Sequence, residues 1–340
     1  MKRNIFRFRL LFALAFTLPA LAFGQEVKEF VSTTSKEKIL KNIKIMQKPV
    51  DAGGFSDGHG RTPVLVDRSQ VPDTVALMSL YVNDYGTVKE GPYTISSYWI
   101  TAEGGNEVAN QIERQVILPL KAAFAKQGVT LLTPGEYLDT PAKRKYYYET
   151  FAPKVSKLAK FLSNIETKHI DTSVGANDYR PFDISVCWDA IRAESLVDDL
   201  GKNIGVKGLV TLAINIQTDA KTINMLGARI AMNGPNPIPK EDKKYVAQNM
   251  GNGYYFGQIY IDCAFDFPKP ALVGKYYNMK KAGKKVTSNG LSSYKVTVTK
   301  TAEIGLDVEG TEVILEAMVE KSFDVINESI EKAGSKYSRR

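Results

Sequence analysis

The sequence predicts an α/β or α+β fold: a mixed sheet that contains an antiparallel hairpin and is packed by amphipathic helices, the C-terminal one included. Three observations carry that expectation. Residues 208–232, GLVTLAINIQTDAKTINMLGARIAM, alternate apolar and polar positions on both sides of a TDAK turn, the period of two that belongs to strands. Val108, Ile112, Val116, Leu120 and Phe124 recur every fourth residue, as on a helix with one buried stripe. The closing stretch TEVILEAMVEKSFDVINESIEKAG repeats the helical pattern.

In chain order, the first element is one to be discarded. Lys2, Arg3, Arg7 and Arg9 precede an apolar centre from Leu10 to Leu18, and Ala22, Phe23 and Gly24 offer small residues at the two positions a signal peptidase reads. A spanning helix needs roughly 20 unbroken apolar residues, whereas Pro19 and the polar QEVKEF interrupt this one. Residues 1–24 are therefore expected to be a signal peptide cleaved before Gln25, with an uncleaved anchor as the alternative. No Cys stands near the cut, so an acylated-cysteine anchor is not expected, and no later apolar run approaches spanning length.

Charge follows from the same cut. The full chain holds 45 basic against 37 acidic residues, and the leader takes four basic and no acidic ones, leaving 41 against 37. That excess is too small to steer nucleic acid, which an exported protein seldom meets. An apolar content of 44% suffices for one sizeable core.

Residues 25–73 read as an irregular lead-in: one short amphipathic piece, SKEKILKNIKIM, then DAGGFSDGHGRTP. A single α/β domain is expected over 74–333, with a tail at 334–340. TVALMSLYVND is apolar enough to be a strand covered on both faces. After the Gly- and Tyr-rich stretch 84–105, Asn106 is the expected N-cap of the helix through Phe124, Gly128 its stop and Pro119 a kink within it. VTLLTP gives a short strand, completing a crossover unit. A Lys- and Tyr-rich helix is expected from about Pro141 to Ile165, and another from Asp189 to Gly205. The hairpin follows; on its return strand Leu226, Ala228, Ile230 and Met232 should share one face. GPNPIP halts the sheet, YYFGQIYIDCAFDF supplies another strand, and the C-terminal helix closes the chain.

This succession resembles the α/β domain shared by the curli-secretion lipoprotein and the N-terminal domain of the Tol-system translocation protein. The resemblance covers about residues 74–333 and is carried by AFAKQG before VTLL, by GVKGLVTLAINIQTD and by EVILEAMVEKSFDVI. It implies an assembly or scaffolding component of the bacterial cell envelope, periplasmic or associated with the outer membrane.

Several stretches carry chemistry-bearing residues. GFSDG at 54–58 fits the G-x-S-x-G pattern around Ser56, with His59 adjacent and His169 downstream. A nucleophile elbow needs a buried strand before the serine and a helix after it, and KPVDAG and HGRTPV provide neither. Asp51, Asp57 and His59 match no metal-ligand spacing, so no metal site is expected. Asp262 and Asp266 stand on one face of a strand near Tyr254, Phe256 and Tyr260, the residue types of a glycosidase, which needs two carboxylates about 5 to 9.5 Å apart. Against that stands an ordinary polar face. GKYYNMKKAGKK and AKRKYYYETFAPK interleave Lys with Tyr and could meet anionic lipid or glycan surfaces, or be solvated faces. Cys187 and Cys263 are candidate disulfide partners in an oxidising compartment, with two free thiols the alternative.

No glycine-rich phosphate loop occurs and no cofactor is expected, since GNGYYFG lacks the spacing. The expected function is thus an exported, non-catalytic envelope protein that binds or scaffolds envelope partners or further copies of itself through strand edges and Tyr-rich loops, without nucleic acid. The alternative is a secreted hydrolase acting on glycan or ester, with Ser56, Asp262 or Asp266 as catalytic candidates.

Overall fold

The computed structural model of the 340-residue chain describes residues 25–47, 68, 71–90, 94–100, 102–150, 172–181, 203–219, 221–234, 258–276, 286–288, 291–296 and 304–337. It has the mixed sheet that the sequence predicts. Strand β1 (Ile43–Gln47) lies at one side, followed across the sheet by β9 (Gln258–Tyr276), β8 (Thr222–Gly234), β7 (Gly208–Thr218), β2 (Thr74–Asp84) and β5 (Thr130–Leu132). Strand β6 (Thr172–Gly175) pairs antiparallel with β2 and β12 (Ile304–Leu306) with β9, which makes eight strands. β2 runs parallel to both β5 and β7, while the β7–β8 and β8–β9 pairs are antiparallel.

The hairpin lies where the period of two places it. Leu212 faces Ile230 and Ile214 faces Ala228 across the β7–β8 ladder, and Asp219 N–H closes the turn onto Thr222 O at 2.8 Å. One detail differs. Met225 is buried while Leu226 is half-buried, because β8 carries an extra residue at Leu226 in its pairing with both neighbours. A bulge resets the alternation, so the inward set is Ile223 and Met225, then Ala228, Ile230 and Met232.

One face of this sheet is covered by two long helices, α3 (Ala102–Lys126) and α6 (Thr311–Tyr337). Val108, Ile112, Val116, Leu120 and Phe124 of α3 are all buried, as their spacing requires. Phe124 meets Phe323 of α6 edge to face at 5.8 Å between ring centroids, a geometry that suits the ring quadrupoles. The end of α3 is a Schellman motif: Gly128 adopts φ 72°, its N–H reaches Ala125 O at 2.9 Å and Val129 N–H reaches Phe124 O at 3.1 Å. The helix starts four residues before the expected cap. Gly104 and Gly105 lie buried in its first turn, and a Cβ on Gly105 would come within 3.0 Å of Val174 on β6. Close approach to the sheet outweighs the weak helix propensity of glycine there, and Asn106, now inside the helix, donates instead to Gly175 O at 2.8 Å.

The expected irregular lead-in is structured over 27–47. Helices α1 (Val27–Thr33) and α2 (Lys36–Asn42) and strand β1 belong to the main sheet's assembly, β1 pairing antiparallel with β9. Phe30 packs against Phe265 and Phe267, with centroids 6.1 and 5.1 Å away, and Ser35 caps α2 by accepting from Lys38 N–H. Seven-residue helices are too short to be read from periodicity alone. The helix predicted from Pro141 is α5 (Pro141–Lys145), which continues as a π-helical turn at Tyr146–Thr150; residues 151–171, and 189–202 of the other predicted helix, lie outside the described residues.

On the second face, Tyr137 from α4 (Pro134–Tyr137), Tyr147, Ile204, Val206 and Leu209 pack over Ala76 and Met78 of β2. This cluster fills a gap in the ladder. β5 pairs with 74–76 of β2 and β6 with 81–84, and between them Tyr137 OH donates to Leu77 O at 3.3 Å and Tyr147 OH to Met78 O at 2.7 Å. Arg180 N–H donates to the same Tyr147 oxygen at 3.1 Å. Tyr147→Phe should therefore destabilise the fold by about 1–3 kcal/mol, the cost of leaving buried backbone groups unpaired, as read from the urea midpoint.

The chain between β2 and α3, expected to be a loop, forms part of a second sheet. Strands β3 (Thr87–Glu90) and β4 (Thr94–Tyr98) make an antiparallel hairpin; β11 (Leu291–Val296) joins β4 in parallel and β10 (Val286–Ser288) follows, in the order β10-β11-β4-β3.

Candidate functional site

The two carboxylates singled out from sequence do lie on one face, and the reason is the strand period. In β9, Ile261, Cys263 and Phe265 turn toward the helices, so Asp262, Ala264 and Asp266 turn to the opposite face. Two cations arrive at the same level from the neighbouring strands, because Lys44 of β1 and Arg229 of β8 both stand in register with Ala264. Arg229 reaches diagonally to Asp262, Nε to Oδ1 at 2.9 Å and Nη2 to Oδ2 at 2.5 Å, a two-pronged pair whose carboxylate side chain is only 3% exposed. Lys44 Nζ reaches Asp266 Oδ2 at 2.7 Å, and both of those side chains are exposed.

This arrangement neutralises both carboxylates in place. Each carboxylate is turned to its own cation, Asp262 to Arg229 and Asp266 to Lys44, where a glycosidase needs the pair free to act on one bond between them. With Asp262 held by a fork of guanidinium donors, the face is built to hold β8 against β9, and its chemistry is that of a structural ion pair. Arg229, 33 residues away in sequence, could be found only by knowing the register. The exposed pair of Lys44 and Asp266 contributes little to stability.

Cys263 is free and buried, its Sγ 3.2 Å from Ser322 Oγ of α6, and burial pushes its thiol up to about 12. Such a thiol is inert as a nucleophile at neutral pH. Ser56, His59, Asp51, Asp57, His169, Cys187, Tyr254 and Phe256 lie outside the described residues, as do residues 235–257 between β8 and β9. Among the described residues, no group of three or more His, Cys, Asp or Glu could hold a metal ion.

The Lys- and Tyr-rich segment at 142–154 resolves in its described part into core and ordinary surface. Tyr147 is fully buried, Lys143 pairs with Asp139 at 2.9 Å, and Arg144 Nε donates to Leu138 O at 2.8 Å. Close by, burial raises the carboxyl of Glu113 above its ordinary value, the charge of Asp178 adds to that rise, and the charge of Arg114 opposes it. A raised carboxyl binds more protons folded than unfolded, so its contribution is present below the ordinary carboxylate value and is lost as pH rises through the raised one. Glu113→Gln should therefore flatten the fall in stability over that acidic window, measured as urea midpoints against pH.

The remaining candidate surface is the second sheet, and its attachment is specific. The chain enters through Asp84, Tyr85 and Gly86 and leaves through Tyr98, Trp99 and Ile100. Asp84, fully buried at the end of β2, accepts three backbone N–H groups: Gly86 at 2.9 Å and Thr218 at 3.0 Å on Oδ1, and Ile100 at 2.7 Å on Oδ2. One carboxylate thus ties the entry and exit of the β3–β4 hairpin to the end of β7. Gly86 has φ 58°, and a Cβ there would lie 2.6 Å from the Trp99 ring and 2.7 Å from Tyr98 O, so only glycine fits. Beyond this neck, β3 and β10 each pair on one side only among the described residues.

No helix among the described residues is long and apolar enough to cross a membrane. Comparisons with protein-family models, curated proteins and solved structures found no match.

Proposed function

We propose that this protein is an exported, non-catalytic component of a bacterial cell envelope, periplasmic or associated with the outer membrane, that binds or scaffolds partner chains. The observation that carries this reading is the second sheet, joined to the main sheet at the Asp84 neck and bounded by β3 and β10, each paired on one side only among the described residues. An open strand edge presents unpaired backbone groups in a row, which an extended segment of a partner can complete by strand addition. The partner is an envelope protein or a second copy of this chain.

Two further features support the reading. The leader, with its basic start, apolar centre and small-residue cut, favours export. Asp262 and Asp266, the described candidates for hydrolysis, are each engaged by a cation, which removes the motive for the glycan-hydrolase alternative. N-terminal sequencing of the protein recovered from an envelope fraction should read Gln25 first. An intact Met1 as the main species, or a chiefly cytoplasmic pool, would refute export.

A further inference from the structure

The neck between the two sheets joins features that need not occur together. The last residue of β2 is a buried carboxylate that accepts from both ends of one hairpin and from the neighbouring strand β7. Tyr85 N–H adds a bond to Ile216 O at 3.0 Å. Trp99 and Ile100 are 6% and 2% exposed, so the exit of the hairpin is seated as firmly as its entry. Outside this point, among the described residues, the strands of the second sheet pair only with one another. Among the described residues, backbone donors at both ends of the hairpin thus converge on one side chain.

We propose that Asp84 is a latch: its carboxylate fixes the second sheet against the end of β7, and loss of that carboxylate lets the β3–β4 hairpin, together with the strand β11 paired to β4, loosen while the main sheet stays folded. The physical basis is locality. Proteins open in cooperative pieces, and a piece opens at low cost when few bonds tie it to the rest. Among the described residues, three amide hydrogen bonds on one carboxylate and the Tyr85 N–H bond to Ile216 O are ties of this neck, and hydrogen bonds to an ionised group are stronger than neutral ones. The main sheet's own ladders, β2–β7, β7–β8 and β8–β9, do not pass through this residue's side chain. The latch deepens the docking reading, on which its biological use rests, because the orientation of the open edges depends on it.

The test is amide hydrogen exchange on the full processed chain and on two variants. Asp84→Asn keeps the shape of the side chain but replaces one acceptor oxygen by a donor. Gly86→Ala leaves the carboxylate intact and forces the neck apart from the other side, through the contact with Trp99. In both, exchange at Gly86, Ile100 and Thr218 and through 87–98 should rise about tenfold or more, the scale of one lost charge-assisted bond, while β8 and the rest of β7 before Thr218 keep their protection. Equal acceleration across β2, β7 and β8 would overturn the latch in favour of a global core role, and so would unchanged exchange at 87–98. No partner enters this measurement, so the latch and the docking reading can fail separately.

Discussion

Gly227→Ala is expected to destabilise the fold by about 4 kcal/mol or more, beyond the ordinary range for a single substitution. A Cβ at this position would lie 2.0 Å from the carbonyl oxygen of Phe265 and 3.1 Å from the Cα of Asp266. Both obstacles are backbone, so no rotamer change relieves them. Gly227 follows the extra residue at Leu226 and stands opposite Asp266 just where β9 departs from regular pairing, its next partner on β8 being Ala271 with Met225. The two irregularities share this close approach, and the FPKP stretch of β9 accommodates its Pro268 and Pro270 within the irregular segment, where a missing donor is tolerated. Urea denaturation followed by circular dichroism should show the loss; a stability within about 1 kcal/mol of the parent would mean that the strands can separate locally at this point.

Arg229→Ala should cost about 3–5 kcal/mol, the usual result of leaving one member of a buried ion pair without its partner. Asp262 is 2% exposed overall, and removing the guanidinium strands its charge. The pair itself is replaceable. A combined Arg229→Met and Asp262→Leu chain should recover most of the loss, since well-packed apolar residues often match or exceed a buried pair. A double variant as unstable as the single one would show that the pair contributes something its apolar replacement lacks, such as the register of β8 on β9.

These two expectations rest on features of unequal legibility. The β7–β8 hairpin could be read from the alternation of Val210, Leu212, Ile214 and Ile216, and α6 from its helical period, because both patterns are local and one-sided burial enforces them. The phase change at Leu226 could not, since a contact between Gly227 and a carbonyl on the next strand decides it. The early start of α3 follows from Gly105 lying against Val174, a residue 69 positions away. The second sheet was hidden for the same reason: β4 finds its parallel partner at 291–296, roughly two hundred residues later, and neither segment alone has a strong strand period. Asp262 and Asp266 were found as a same-face pair from sequence, yet their chemistry depends on Arg229 and Lys44, which register brings to them.

The central proposal is that the chain works by docking through an edge of its second sheet that is unpaired among the described residues. The most direct measurement places a photo-crosslinking residue at Val88 in β3 and, as a control, at Leu118, an exposed position of α3, in the full chain expressed in its own cells. Irradiation should give a discrete adduct from Val88, traced by mass spectrometry to one recurring extended segment of an envelope protein or of a second copy, and none from Leu118. Absence of any adduct from Val88 in processed, folded protein, or equal adducts from both positions, would contradict the account.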